Sequence, residues 1–264
     1  MNKKYKNIGI VCDSTEKAQS SKNSLLEAYN LINIIDDGNT PEGIDAIIAL
    51  GGDGFMLQTL HNHITDNIPI YGLNKGSIGF LLNEYSEHKL IERLNNAVDS
   101  HIHPLKMECK CAGGEYTALA INEVSLLRTT GQAAKIKINV DGTTYLDELI
   151  CDGVMVATPA GSSAYNYSNG GMILPIGSNL LSLVPISPFR PRRWRGALLQ
   201  NNVVVEFIVH KPWRRPVKAV ADNYEVENVT EVKISLDTAR TIHLLFDPGH
   251  SLEERIMREQ FEVC

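Results

Sequence analysis

Hydrophobic and polar positions change their rhythm partway along the chain. In the first hundred residues, short apolar runs alternate with segments of helical period. NIGIVCD (7–13) predicts a buried strand, and Ser14 is the expected cap of a helix carrying Leu25, Leu26, Tyr29 and Ile32 on one face. IDAIIAL (44–50) is continuously apolar, as a parallel strand covered on both faces requires. A GGDG turn and the helical FMLQTLHNH follow, then a strand at IPIYGLN (68–74) and an amphipathic helix at SEHKLIERLNNAV (86–98). Such alternation predicts a Rossmann-like α/β domain with an open parallel sheet over residues 1–100. Beyond it, MECKC, YTALAINEVSLLR, AKIKINVDGTTYL, NVVVEFIV, the stretch 225–235 and TIHLLF (241–246) are strand-like, with turns such as Asp141-Gly142 between them. This half, 101–250, reads as a β-rich, sandwich-like domain. The helical pattern returns at the end, where a helix over 251–264 is expected to pack back on the first domain.

Composition narrows the function classes. At 264 residues the chain can bury one large core or two modest ones, and 43% apolar with 21% charged residues is the balance of an ordinary globular protein. The apolar runs are far shorter than a membrane span, and MNKKYKNIGIVCD enters its first strand without a signal or transit pattern. The five cysteines are odd in number and scattered, and Cys109-x-Cys111 has the wrong spacing for a zinc knuckle, so a cytoplasmic location is expected. A net charge of −6 argues against a nucleic-acid binder. Locally the balance reverses: residues 189–218 hold eight basic side chains against the single acid Glu206. That patch suits a polyanionic small substrate, a subunit contact or plain solvated loops.

Three constellations carry candidate chemistry. Neither G-x-G-x-x-G nor G-x-x-x-x-G-K-[ST] is present, which disfavours a Rossmann dehydrogenase and a P-loop enzyme. The first constellation is Gly51-Gly52-Asp53-Gly54, at the carboxyl end of a strand, where open α/β sheets bind ligands. Glycine N–H groups suit phosphate, whereas Asp53 would repel it. The acid is either a base for an attacking hydroxyl, a holder of Mg²⁺, or a helix cap. The second is CDGVMVATPAGSSAYNYSNGG (151–171), a strand, a loop and a short helix capped by Ser162 or Ser163, with Tyr165, Asn166 and Ser168 able to read a ribose or an amide. It lacks the G-x-S-x-G elbow, so a serine hydrolase is rejected. The third is Asn122-Glu123 within a strand-like run, which points to opposite faces unless the strand ends or bulges there. That pair is either a structural hydrogen-bonding pair or a grip on ribose hydroxyls. His61-x-His63 and His101-x-His103 are read as ordinary, and no metal cage from protein alone is expected.

Together, in this order, Gly51-Gly52-Asp53-Gly54, Gly72-Leu73-Asn74 with Gly79-Phe80-Leu81, Asn122-Glu123, Asp152-Gly153, the block from Thr158 to Gly171 and Ile186-Ser187-Pro188 resemble the NAD kinase family. The resemblance implies phosphoryl transfer from ATP or polyphosphate to the adenosine 2′-hydroxyl of NAD, giving NADP. It implies Asp53 as general base and, with Gly54, in contact with NAD; it implies Gly51, Gly52 and Gly54 beside the phosphate donor, and Phe80 near adenine. It assigns Asn122 and Glu123 to the NAD ribose and diphosphate, and Asp152 to NAD across a subunit contact. Ala160, Ser163, Ala164, Tyr165, Asn166, Tyr167 and Ser168 would receive adenine and the nicotinamide side. Also implied are Mg²⁺ or another divalent cation accompanying the donor and a homodimer or homotetramer, with no nucleic acid or membrane partner. The chain departs from the family pattern at Phe55, where Thr is common, at Asn223, and at Phe189-Arg190, which replace His-Ser. A lipid or sugar kinase sharing GGDG, and a non-catalytic dinucleotide sensor, are the rival readings.

Overall fold

A computed structural model describes residues 4–76 and 79–249. The described chain divides into two compact units, one running to residue 102 and resuming at residue 240, and one of residues 103–239. In chain order the first unit contains β1 (Ile8–Cys12), α1 (Glu16–Ala28), β2 (Ile32–Asn33), β3 (Ala46–Gly51), α2 (Asp53–Asn62), β4 (Ile70–Asn74), α3 (Leu90–Asn96) and β5 (Val98–Ile102). The second contains β6 (Leu105–Cys111), β7 (Gly114–Ala120), β8 (Glu123–Arg128), β9 (Ala134–Val140), β10 (Thr143–Cys151) and β11 (Gly153–Ala157). A 3₁₀ turn (Ala160–Ser163) and α4 (Tyr165–Ser168) lead on to β12 (Leu180–Ile186), β13 (Ala197–Gln200), β14 (Val205–Val209), β15 (Val217–Ala221), β16 (Tyr224–Val226) and β17 (Val229–Leu236). The last described strand is β18 (Ile242–Phe246).

The first sheet has the order β2-β1-β3-β4-β18-β5. Its strands run parallel except β5, which pairs antiparallel with β18 at the edge, so the sheet is mixed rather than wholly parallel. β3 is buried at every position, as its uninterrupted apolar run demands. Ile8, Ile10, Ile48, Leu50, Leu73 and Leu245 share one core with Leu25, Leu90 and Leu94 of the helices. Two boundaries differ from expectation. Thr15, not Ser14, precedes α1, and Ile32 lies on β2 rather than on the helix face. Lys89 adopts a left-handed φ of 54°, so α3 begins only at Leu90 instead of near residue 86.

The second unit is a sandwich of two antiparallel sheets, β10-β9-β14-β17-β6-β7 and β13-β12-β11-β8-β15-β16. Alternating residues such as Met107, Ile136, Phe207 and Val232 from one sheet meet Val124, Leu126, Val154, Leu183 and Ala219 from the other in one core. β11 is buried on both faces, because Met155 packs with Val184 and Ile186 on its outer side. The segment 241–246, grouped by its strand pattern with the β-rich half, instead returns to the first sheet as β18. Four of its five residues are buried, as a strand flanked on both sides requires. The helix expected over 251–264 lies outside the described residues.

Candidate active site

In the first unit the site begins where β3 ends. Gly52 is extended (φ −99°, ψ −179°) and precedes α2, so Asp53 is the first helical residue and not its cap. Its carboxylate accepts the backbone N–H of Phe80 at 2.8 Å and of Leu81 at 3.1 Å. Asp53 thereby anchors the segment after β4. Gly79 packs closely beside it, a Cβ there falling 3.2 Å from Asp53 Oδ1 and 2.8 Å from a Leu82 methyl. Lys75 N–H bonds Gly51 C=O at 2.8 Å, holding the two glycine-rich turns together. Among the described residues, no neighbouring segment lies within 4 Å of where a side chain would begin at Gly52 or Gly54. The amino terminus of α2 thus presents N–H groups and its positive dipole end to an approaching anion. Phe55, the departure from the family's Thr, lays its ring against Gly51, so this position packs the turn instead of offering a hydroxyl.

Asn83 was not singled out by sequence. It is fully buried, donates to Gly72 C=O (3.1 Å) and Leu245 C=O (2.9 Å), and accepts from Asp247 N–H (2.8 Å). These bonds fix the segment that carries Phe80 and Leu81 against β4 and β18. Its only sequence signal was an amide directly after the apolar Phe80-Leu81-Leu82.

In the second unit, strand pairing stops at Ile121 and Asn122, between β7 and β8, which resolves the expected conflict of opposite faces. Asp222 causes the break to hold. In a left-handed conformation (φ 51°), its carboxylate accepts N–H bonds from Ile121 (2.6 Å), Asn122 (3.0 Å) and Glu123 (3.1 Å). Glu123 lies opposite Ala157 of β11, and Asn122 C=O accepts Thr158 N–H at 2.9 Å. Thr158 Oγ1 donates to Ile121 C=O at 2.7 Å and accepts Gly161 N–H at 3.0 Å. Gly161 must be glycine because a Cβ would sit 2.2 Å from the Asn122 oxygen. The fold therefore brings residues 121–123, 157–161 and 222 together from three distant stretches. Burial first, and then the charge of Asp222, push the Glu123 carboxyl up to about 7. Glu123 Oε2 is buried with no hydrogen-bond partner among the described residues.

The 158–171 block departs from its predicted capping. Neither Ser162 nor Ser163 caps a helix: residues 160–163 form a 3₁₀ turn, and the four-residue α4 follows Ala164 with no side-chain cap. Ser162 Oγ instead donates to Pro159 C=O (2.7 Å) and accepts Leu174 N–H (2.9 Å), closing the loop. Asn166 is fully buried, and its Nδ2 donates to Ser162 and Met172 carbonyls at 2.8 and 3.2 Å. Ala160 is buried and Ser163 and Ala164 are half-buried, while Tyr165, Tyr167 and Ser168 are exposed.

Asp152 sits apart from this group. It immediately precedes β11, whereas Ala157 ends that strand opposite Glu123. At roughly 3.3 Å per residue the length of β11 keeps the two about 15 Å apart. Asp152 pairs instead with Arg128 Nε at 2.6 Å. In the basic segment, Arg190 and Arg192 lie over the Phe189 ring at 5.7 and 5.1 Å from its centre.

Comparison with known proteins places the chain. Residues 8–102 match the ATP-NAD kinase N-terminal domain, and residues 121–210 match the ATP-NAD kinase C-terminal domain. The fold and site thus define a phosphotransferase built from an α/β unit and a β-rich unit. Relatives narrow the class. The NAD kinase of Caulobacter vibrioides is 51% identical over 97% of this chain and 96% of its own length, and that of Rhizobium meliloti is 48% identical over 99% of each. The chain belongs to the NAD kinase family. Yeast NADH kinase, solved with NADH, shares the fold at a TM-score of 0.84 and 19% identity, over 100% of this chain and 90% of that one. An Archaeoglobus fulgidus NAD kinase solved with ATP aligns at a TM-score of 0.72 and 25% identity, over 97% of each chain. No helix among the described residues is long and apolar enough to cross a membrane.

Proposed function

We propose that the NAD kinase reaction of this chain runs through Asp53 as general base on the adenosine 2′-hydroxyl of NAD. The observation that carries this reading is Asp53 itself. Two peptide N–H groups hold its carboxylate beside Gly52 and Gly54 at the carboxyl end of a central strand, where a carboxylate can accept a hydroxyl proton. The 2′-oxygen forms a bond to the terminal phosphorus as the bridging P–O bond breaks, and Asp53 takes the proton. Gly51, Gly52 and Gly54 line the donor phosphates, with ATP the first donor and polyphosphate the second. A divalent cation such as Mg²⁺ would accompany the donor's own phosphates and neutralise their charge.

On the dinucleotide side, Asn122 and Glu123 hold ribose and diphosphate, Phe80 lies by adenine, and Ala160 with Ser163 through Ser168 receives the base and nicotinamide ends. Asp152, remote from Glu123 in its own chain, acts across a subunit contact in a homodimer or homotetramer. The location is the cytoplasm. The test couples NADP formation, from NAD, Mg²⁺ and either ATP or polyphosphate, to an NADP-specific dehydrogenase. Asp53→Asn is expected to lower turnover by about 10²–10⁴-fold. Near-normal turnover in that variant removes the base assignment; no NADP from the wild type with either donor overturns the reaction.

A further inference from the structure

The edge of the first sheet gathers three side chains that the kinase reading does not use. On the antiparallel pair β5–β18, His101 lies directly opposite His243, and Asp99 is two positions from His101 on the same strand face. Asp99 Oδ2 is 2.9 Å from His243 Nδ1 and 3.3 Å from His101 Nε2. The two imidazoles meet edge to face with ring centres 4.5 Å apart. One ligand atom from each residue lies within 4.8 Å of the other two. Sequence could not show this, because Asp99 and His243 are 144 residues apart. The adjacent histidine of the motif, His103, falls outside β5.

We propose that Asp99, His101 and His243 form a binding site for a divalent transition-metal ion of the Zn²⁺ or Ni²⁺ kind. Ligands about 2.1 Å from a tetrahedral metal stand about 3.4 Å from one another. The two distances to Asp99 are already near that value, and the third is no more than 4.8 Å, so small side-chain rotations complete a three-ligand face. Two imidazoles with one carboxylate favour Zn²⁺, Ni²⁺ or Cu²⁺ over Mg²⁺, which prefers an all-oxygen shell. The side chains of Asp99, His101 and His243 are 32%, 55% and 19% exposed, so an ion has an entry path and water can fill the remaining position. Bound metal would cross-link β5 to β18. Both connections to the second unit, at 102–103 and 239–240, leave within a few residues of these ligands.

This site is separate from the phosphoryl-transfer machinery. β18 runs parallel to β4 and β4 to β3, so His243, the second residue of β18, lies toward the end of the sheet opposite the Gly51–Asp53 turn. The proposal stands whether or not Asp53 is the base.

The experiment titrates untagged, chelator-stripped full-length protein with Ni²⁺ by calorimetry and follows thermal unfolding with and without the ion. The wild type is expected to bind one Ni²⁺ per chain and to unfold at higher temperature when it is present. His101→Gln/His243→Gln should weaken that uptake by more than the roughly 10–100-fold typical of losing an outer-sphere partner, and should abolish the thermal shift. His103→Gln should leave both unchanged. If the double variant melts early without metal, His101→Gln alone, altering an exposed side chain, gives the same reading. Equal uptake in wild type and His101→Gln, or no uptake by the wild type at millimolar Ni²⁺, overturns the site.

Discussion

A carboxyl group that is mostly buried and lies beside a second carboxylate resists ionisation, and Glu123 meets both conditions through its strand and through Asp222. Its folded value of about 7 stands above the ordinary 4.5, so between these pH values the folded chain holds a proton that the unfolded chain has released. Stability from this group is therefore greatest below about pH 4.5, falls as pH rises to 7, and stays low above. Its ceiling is about 3 kcal/mol. Glu123→Gln should flatten that slope. Urea unfolding at pH 5 and pH 8 checks it, because any unpaired amide in the variant costs the same at both. Asp222 poses the complementary case, with its left-handed backbone and three backbone donors on one carboxylate. Asp222→Ala should destabilise by about 3 kcal/mol or more, since hydrogen bonds to a charged group are worth roughly 1.5–3 kcal/mol each. Asp222→Asn, which keeps an acceptor and tolerates positive φ, should lose less in the same urea titration.

Between elements, the end of α2 is tied to the segment after β2 by a buried imidazole. His63 is 3% exposed and lies 3.2 Å from Asp36 Oδ1 and 3.0 Å from Asp66 Oδ2. Burial alone would lower its pKa, but the hydrogen bonds and charges of both acids outweigh burial and raise it. Burial would raise Asp36 and Asp66, yet hydrogen bonds from His63, Thr59 and Asn62 to the first and from Thr40 and His63 to the second lower them. Stability from His63 is full below its unfolded pKa and is lost as pH rises through the raised folded value. Stability from the two acids is present above their unfolded pKa and lost as pH falls through the depressed folded ones. His63→Gln should thus cost about 3–5 kcal/mol in mildly acid solution, the loss typical of breaking a buried pair, and less in alkali, as denaturant titration across pH would show. The elements themselves were largely legible: IDAIIAL announced β3, and the alternating pattern announced the sandwich. Links across the chain were not. His63 looked like half of an ordinary His-x-His, because Asp36 is 27 residues away. The capping assigned to Ser162 failed because its hydroxyl closes onto Leu174, a partner no local motif specifies.

At the scale of the molecule, local pattern identifies a strand but not the sheet that receives it. TIHLLF has the composition of either half, and only its pairing with β4 and β5 assigns it to the first sheet. The same limit applies to Asp152, which stands next to Gly153 in sequence and on the far end of β11 from Glu123 in space. With the two acids at opposite ends of β11, we propose that Asp152 serves the dinucleotide site of a neighbouring chain. That assignment makes a prediction separable from stability. In a homodimer, Asp53→Asn and Asp152→Ala chains should each be impaired alone, yet mixing them under conditions that exchange subunits should restore turnover. In the mixed dimer one site inherits both lesions, while the other combines an intact Asp53 with an intact Asp152. Statistical exchange at equal amounts makes half the dimers mixed, so recovery should approach about a quarter of wild-type turnover per chain. The coupled NADP assay reads it directly, and light scattering confirms that both variants assemble. Activity that never exceeds the mean of the two separate variants would assign Asp152 to its own chain, where it pairs with Arg128.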